Sequence, residues 1–238
     1  MINENERLIV SLDFENIIDA LSLVDLIKDE AKFYKIGLQM YLKYGEKIIN
    51  EIKKRDLKIF LDLKLNDIPN TVKEALRVLT DYSLDIINMH VLAGYEAMKE
   101  AKGVIVEKSP ATKIIGVTVL TSLDDENLKK LGFEASSEKQ TEKLSLLAKD
   151  AGLDGVVASA KDVKRIKEIC TDSFIIVCPG IRRETEKVDD QKRVATPYSA
   201  IKDGADYIVV GRPIIKSNSP KIEVLDIIKE IKKGLLER

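Results

Sequence analysis

Short runs of β-branched and other apolar residues alternate along this chain with longer stretches in which apolar positions recur every third or fourth residue. The short runs read as strands, and the longer stretches as helices that bury one face. Eight such pairs follow one another, with predicted strands at Leu8–Leu12, Phe33–Ile36, Ile59–Leu63, Asp85–His90, Ile114–Leu120, Gly155–Ala158, Phe174–Cys178 and Tyr207–Val210. Such alternation calls for a parallel sheet with crossover helices. After the third strand, Pro69 opens a helix in which Val72, Ala75, Leu76 and Leu79 form one apolar stripe, and the last helix is expected to do the same with Ile222, Leu225, Ile228 and Ile231. A doubly wound open sheet uses the same alternation. Eight strands with no Gly-x-Gly-x-x-Gly turn after the first favour closure instead, giving an α/β fold of the (β/α)8 TIM-barrel type. The 238 residues match the length of such a barrel, and no linker or shift in composition divides them, so a single domain over 1–238 is expected.

One connection is out of proportion. From Pro179 to Val194 the chain is almost entirely polar, between the seventh strand and a helix expected near Thr196. Long structureless connections in compact domains are usually lids or binding loops, so this segment, with Gly180 as hinge, is a lid candidate.

Composition narrows the partners. Lys plus Arg number 39 and Asp plus Glu 40, a balance that lacks the basic footprint of a nucleic-acid or anionic-membrane binder. The start is acidic, and the apolar run Leu8–Leu12 stops at Asp13, too soon for a signal peptide or a membrane span, so a cytoplasmic protein is expected. Cys170 and Cys178 read as buried reduced thiols without metal-ligand spacing, and His90 is the one histidine.

The third strand carries the chemistry. Alternation sends Ile59, Leu61 and Leu63 toward the helices and Phe60, Asp62 and Lys64 inward, which makes Asp62 and Lys64 neighbours at the C-terminal end of the strand, where β/α barrels keep their active sites. Asp67 follows, just before Pro69, where its carboxylate could return toward the lysine. A salt bridge closing the barrel top is the alternative. Each buried ion loses several kcal/mol of hydration, however, so three charges at one strand end need a functional reason. Two carboxylates around one ammonium favour its protonated form and suit it to act as a general acid. Ser11 with Asp13, Lys35 with Phe33 and Gly37, Asn88 with His90, and Thr121 stand at the ends of other strands. After the eighth strand, Gly211, Arg212 and Pro213 resemble a barrel phosphate site, over which Arg182 and Gln191 of the lid candidate could close.

The run Phe60-Leu61-Asp62-Leu63-Lys64-Leu65-Asn66-Asp67-Ile68-Pro69-Asn70-Thr71 resembles the signature of the orotidine 5'-monophosphate decarboxylase family. The resemblance continues in order through Ser11–Phe14, Lys35–Gly37, Val119–Ser122, Pro179–Arg182, Gln191 and Val209–Arg212, and covers essentially the whole chain; Asn66, where relatives often carry histidine, is the main departure. It implies a cofactor-free and metal-free decarboxylase of a nucleotide, orotidine 5'-monophosphate (OMP), in de novo pyrimidine biosynthesis, acting as a homodimer. By position, Lys64 would donate the proton and Asp62 would lie beside the substrate carboxylate. Asp67 and Thr71 would reach the neighbouring subunit's site, Asp13 and Lys35 would hold the ribose hydroxyls, and Thr121 would lie near the pyrimidine. Arg182, Gln191, Gly211 and Arg212 would bind the phosphate. A sugar-phosphate decarboxylase or aldolase that uses magnesium shares the Asp-x-Lys-x-x-Asp strand, but Lys35 stands where a metal would want a carboxylate. A catalytically silent barrel that binds a phosphorylated metabolite or a protein partner is the remaining alternative, and it leaves Asp62, Lys64 and Asp67 without a purpose.

Overall fold

The computed structural model describes residues 3–182 and 195–238. Among these, eight strands, β1 (Leu8–Ser11), β2 (Phe33–Gly37), β3 (Lys58–Leu65), β4 (Ile86–His90), β5 (Lys113–Val117), β6 (Gly155–Val157), β7 (Ile175–Cys178) and β8 (Tyr207–Val210), join in chain order as a closed parallel barrel with helices between them. The β/α alternation of the sequence is therefore the alternation of the fold. Most strand ends agree with the sequence pattern to within one residue. β3 runs two residues further, to Leu65, whereas β5 stops at Val117, three residues before the predicted end. Past Val117 one further residue still bonds to β6, the Thr118 backbone N–H and hydroxyl both donating to the Val157 carbonyl, 3.3 and 2.9 Å away, and the chain then leaves the sheet in a turn at Leu120–Leu123.

Contacts gather the chain into two compact units, residues 1–62 with 178–238, and residues 63–177. In the first, β1 pairs with β2 and β8 in parallel, Ile9 opposite Phe33 and Leu8 opposite Ile208, and β2 continues to β3 with Gly37 opposite Asp62. Consecutive buried residues such as Leu8, Ile9 and Val10 mark a sheet covered on both faces. The closing helix Pro220–Leu236 buries Val224, Ile227, Ile228, Ile231 and Gly234. That overturns the predicted stripe in part, because Ile222 and Leu225 are exposed. The helix is apolar on more than one flank, and close approach selects between them: a Cβ on Gly234 would come within 2.7 Å of the Tyr198 carbonyl oxygen, so the glycine side faces inward.

In the second unit, β4, β5, β6 and β7 pair in parallel. A Cβ on Gly155 would lie 2.1 Å from the Ile175 carbonyl oxygen, so β6 admits no side chain there. Helix Pro69–Thr80 starts on its proline and buries Val72, Leu76 and Leu79, the stripe its sequence predicts with Ala75 half-buried at the edge. Each fully buried leucine or valine contributes about 1.5–3 kcal/mol, enough to fix this helix where strand β3 hands over to it. Both cysteines are buried free thiols, and burial raises the pKa of Cys170. No described helix is long and apolar enough to cross a membrane.

Candidate active site

In the first unit the C-terminal ends of β1, β2 and β3 bring one ammonium between two carboxylates. Ser11 stands opposite Lys35, and Gly37 opposite Asp62. Lys35 Nζ lies 3.2 Å from Asp62 Oδ2 and 3.5 Å from Asp13 Oδ1, and the Ser11 hydroxyl donates to Asp13 Oδ2 at 2.7 Å. Asp62 is 8% exposed, so its charge is sustained by this partner rather than by water. Asp13 remains open to solvent and able to meet a ligand. Two glycines make room: a Cβ on Gly37 would come within 2.9 Å of Lys35 Nζ, and one on Gly211 within 3.2 Å of Ser11 Cβ and 3.4 Å of Asp13 Oδ2. The Lys35 ammonium lies between the Asp13 and Asp62 carboxylates. Among the described residues no group of three or more His, Cys, Asp or Glu is arranged to hold a metal ion.

Gly211 follows β8 as the N-cap of the short helix Arg212–Ile215, which the exposed Arg212 begins. The backbone N–H of Arg182 donates to the Ala195 carbonyl at 3.2 Å, and the residue lines a crevice with Ile181, Pro197, Val210, Pro213 and Ile227. Helix Pro197–Lys202 is capped by Thr196, which exchanges hydrogen bonds with Ser199. Gln191 and most of the lid candidate, residues 183–194, lie outside the described residues.

In the second unit Lys64 is the distinctive residue. It sits inside β3 with φ +53°, a left-handed conformation that side chains other than glycine rarely adopt, and its backbone N–H donates to Asn88 Oδ1 at 2.8 Å. Asn88, on β4, is fully buried. His90, two residues on, has its pKa lowered first by burial and then by the charge of Lys64, so its ring is neutral at neutral pH; Nδ1 is buried without a hydrogen-bond partner. Asp67 is exposed and accepts the Ile68 backbone N–H at 2.7 Å, at the entrance to the helix that carries the exposed Thr71. Thr121 stands four residues beyond the end of β5, in the turn after Leu120, rather than at a strand end.

The sequence pattern places Asn88 and His90 together but is silent on the Asn88–Lys64 bond. Nothing in a lysine's identity signals a left-handed backbone. The Asp13–Lys35–Asp62 chain had a partial signal, since Lys35, Gly37 and Asp62 alternate toward one side of neighbouring strands.

Two acids around an ammonium in the first unit, and a left-handed lysine beside a histidine in the second, stand at strand ends where β/α-barrel enzymes keep their active sites. Comparison with known proteins makes this specific. A family model described as "Orotidine 5'-phosphate decarboxylase / HUMPS family" matches residues 6–227. The orotidine 5'-phosphate decarboxylase of Carboxydothermus hydrogenoformans is 45% identical over 231 residues, 95% of this chain and 96% of that protein. That of Fusobacterium nucleatum is 44% identical, over 91% of this chain and 92% of its own. The crystal structure of the orotidine 5'-phosphate decarboxylase from Lactobacillus acidophilus superposes with a TM-score of 0.84 at 33% identity, covering 95% of this chain and 99% of that one. The chain belongs to the orotidine 5'-phosphate decarboxylase / HUMPS family, and its fold and carboxy-lyase activity are those of its decarboxylase relatives.

Proposed function

We propose that this chain, acting as one (β/α)8 catalytic domain, converts OMP to uridine 5'-monophosphate (UMP) and carbon dioxide with Lys64 as the proton donor. The activity and its place in pyrimidine biosynthesis follow from the family; the assignment of steps to residues is our reading. A family match that runs through both compact units supports a single working domain.

Breaking the bond between C6 and its carboxylate leaves the electron pair on C6, where the pyrimidine ring delocalises it poorly. The enzyme has to stabilise that charge as it forms. Asp62, two residues before Lys64 on β3, would stand beside the substrate carboxylate. Two unit charges 4 Å apart repel by about 4 kcal/mol at an effective dielectric near 20, a cost that disappears as carbon dioxide leaves. The Lys64 ammonium meets the developing carbanion, stabilises it, transfers its proton to C6 to give UMP, and recovers a proton from solvent. Asp13 and Lys35 would hold the ribose hydroxyls, Thr121 would flank the pyrimidine, and Arg182, Gln191, Gly211 and Arg212 would bind the 5'-phosphate. No cofactor or metal enters these steps.

The observation that carries this reading is the left-handed Lys64 at the end of β3, beside a histidine that burial keeps neutral. A strained residue persists only where its surroundings over-determine it, which is the situation expected of a group aimed at a reacting atom. For the dimer, the support is an exposed apolar residue, Ile68, 66% exposed between Asp67 and the helix start. We propose a cytoplasmic homodimer in which Asp67 and Thr71 complete the neighbouring subunit's site.

The test is to mix the purified protein with OMP and follow the ultraviolet change as UMP forms. Lys64→Ala should remain folded and lose at least about a thousandfold in kcat, the scale of losing both a general acid and a preorganised charge. A Lys64→Ala enzyme with near wild-type turnover would remove the proton-donor assignment.

A further inference from the structure

We infer that Asn88 is a positioning residue for the decarboxylation: its buried carboxamide holds the backbone of Lys64 in the left-handed conformation that aims the ammonium. The inference rests on Lys64 being the proton donor, and it concerns a residue that makes none of the proposed substrate contacts.

Three observations meet at this point. The left-handed region costs a residue with a Cβ about 1–2 kcal/mol, so Lys64 needs a compensating contact to stay there. Its backbone N–H finds one in Asn88 Oδ1 at 2.8 Å, reached from the neighbouring strand position rather than through a regular ladder bond. Asn88 is wholly buried on β4, between Ile87 and Met89, which are buried as well. A carboxamide this fully buried is a rigid acceptor. An exposed one would drift with its rotamers.

The geometry also says why asparagine suits the position. The acceptor is needed for an N–H, which a leucine of similar size cannot supply. Aspartate would supply it, but would add a second buried negative charge near an ammonium that the reaction needs free to give up its proton. The neutral amide meets the structural need and leaves the charge balance alone. His90 lies two residues further along the strand, and the charge of Lys64 adds to the burial that lowers its pKa. Since the chain contains one histidine, it is a built-in reporter of where the ammonium sits.

The experiment compares Asn88→Leu, which removes the acceptor, with Asn88→Asp, which keeps it. Three readings are taken on the whole enzyme: kcat and KM for OMP, the melting temperature, and the pKa of His90 from proton NMR. Asn88→Leu is expected to lose about tenfold to a hundredfold in kcat with KM within about threefold, as for an interaction that matters only as the transition state forms. Its His90 pKa should rise toward the value in Lys64→Ala, because an ammonium released from its position no longer opposes protonation of the ring. Asn88→Asp should be the less thermally stable of the two and yet the more active, an order that loss of packing alone does not produce. An Asn88→Leu enzyme with wild-type kcat and an unmoved His90 pKa would overturn the inference, as would an Asn88→Asp enzyme no more active than Asn88→Leu. Should Asn88→Leu not fold, Asn88→Ala gives the same readings. The NMR measurement needs no turnover. A failure of the proton-donor reading, seen as an active Lys64→Ala, is thus distinct from a failure of the positioning role, seen as an unmoved His90.

Discussion

Three described residues other than glycine have positive φ, and they differ in kind. Asp56 and Ser83 follow the ends of helices Glu46–Lys53 and Pro69–Thr80, where the chain commonly turns through the left-handed region. Lys64 lies inside a strand. If its strain is held for catalysis, it should be measurable as stability regained when the side chain's constraint is removed. Lys64→Gly and Lys64→Ala both delete the ammonium, but only glycine is at ease at φ +53°. Urea denaturation should therefore find Lys64→Gly more stable than Lys64→Ala by about 1 kcal/mol, the reverse of the order normal in a strand, where glycine is the poorer residue. The usual order would show that the left-handed conformation is not kept in solution. At this scale the sequence was legible in part. Period-two alternation was enough to set Asp62 and Lys64 on one side of β3, whereas the backbone twist depends on Asn88, 24 residues away, and on a bond no local pattern encodes.

Elements are legible in the sequence where one periodicity dominates and not where two compete. Helix Pro69–Thr80 has a single apolar stripe and buries it. The helix Pro220–Leu236 has apolar residues on two flanks, and the close approach of Gly234 to Tyr198, a tertiary fact, decides which one turns in. Strand β5 is shorter than its composition suggests, because Thr118–Leu120 continue the β-like pattern while the turn at Leu120–Leu123 takes the chain out of the sheet. The short helical turn Ala160–Asp162, packed against helix Ser137–Asp150, holds a feature that carries no sequence signal. Asp162 is 5% exposed and its Oδ1 has no hydrogen-bond partner. Burial raises its pKa to about 6, with Lys161 opposing and Glu138 and Glu142 adding to the rise. The folded pKa lies above the unfolded value of 3.8, so the folded state binds the extra proton between the two. This contribution to stability is complete below the unfolded pKa and is lost as pH rises through the folded one, about 3 kcal/mol in all at full ionisation. Asp162→Asn has no proton to lose. Its stability relative to wild type should improve by about 1–3 kcal/mol between pH 4 and pH 8. Urea midpoints at the two pH values decide the matter, and a pH-independent difference would mean that Asp162 is ionised throughout.

For the whole molecule, the order of strands was legible because each β/α repeat announces itself, and the family match extends over both compact units. Association between chains was not legible by pattern: surface leucines and isoleucines look the same in a periodicity whether they meet water or a partner. The family resemblance implies it, and Ile68, Val78 and Leu92 are apolar residues left exposed on the single chain. Function can decide where surface cannot. If Asp67 serves the neighbouring subunit's site, then Lys64 and Asp67 of one chain belong to two different sites. Lys64→Ala and Asp67→Ala should each be nearly inactive alone, because every site in either dimer lacks one of the two groups. Mixed and allowed to exchange subunits, they should recover. About half of the dimers then carry one chain of each kind, and one of the two sites in such a dimer has both Lys64 and Asp67, so the mixture should approach a quarter of wild-type activity. Recovery that grows with protein concentration and incubation time would follow subunit exchange. A mixture that stays as inactive as its components, while light scattering shows dimers exchanging, would put Asp67 in the same site as its own chain's Lys64 or in no site at all. The exposed carboxylate of Asp67, bonded to the next residue's N–H rather than turned away from solvent, would then be an ordinary start to the helix that follows it.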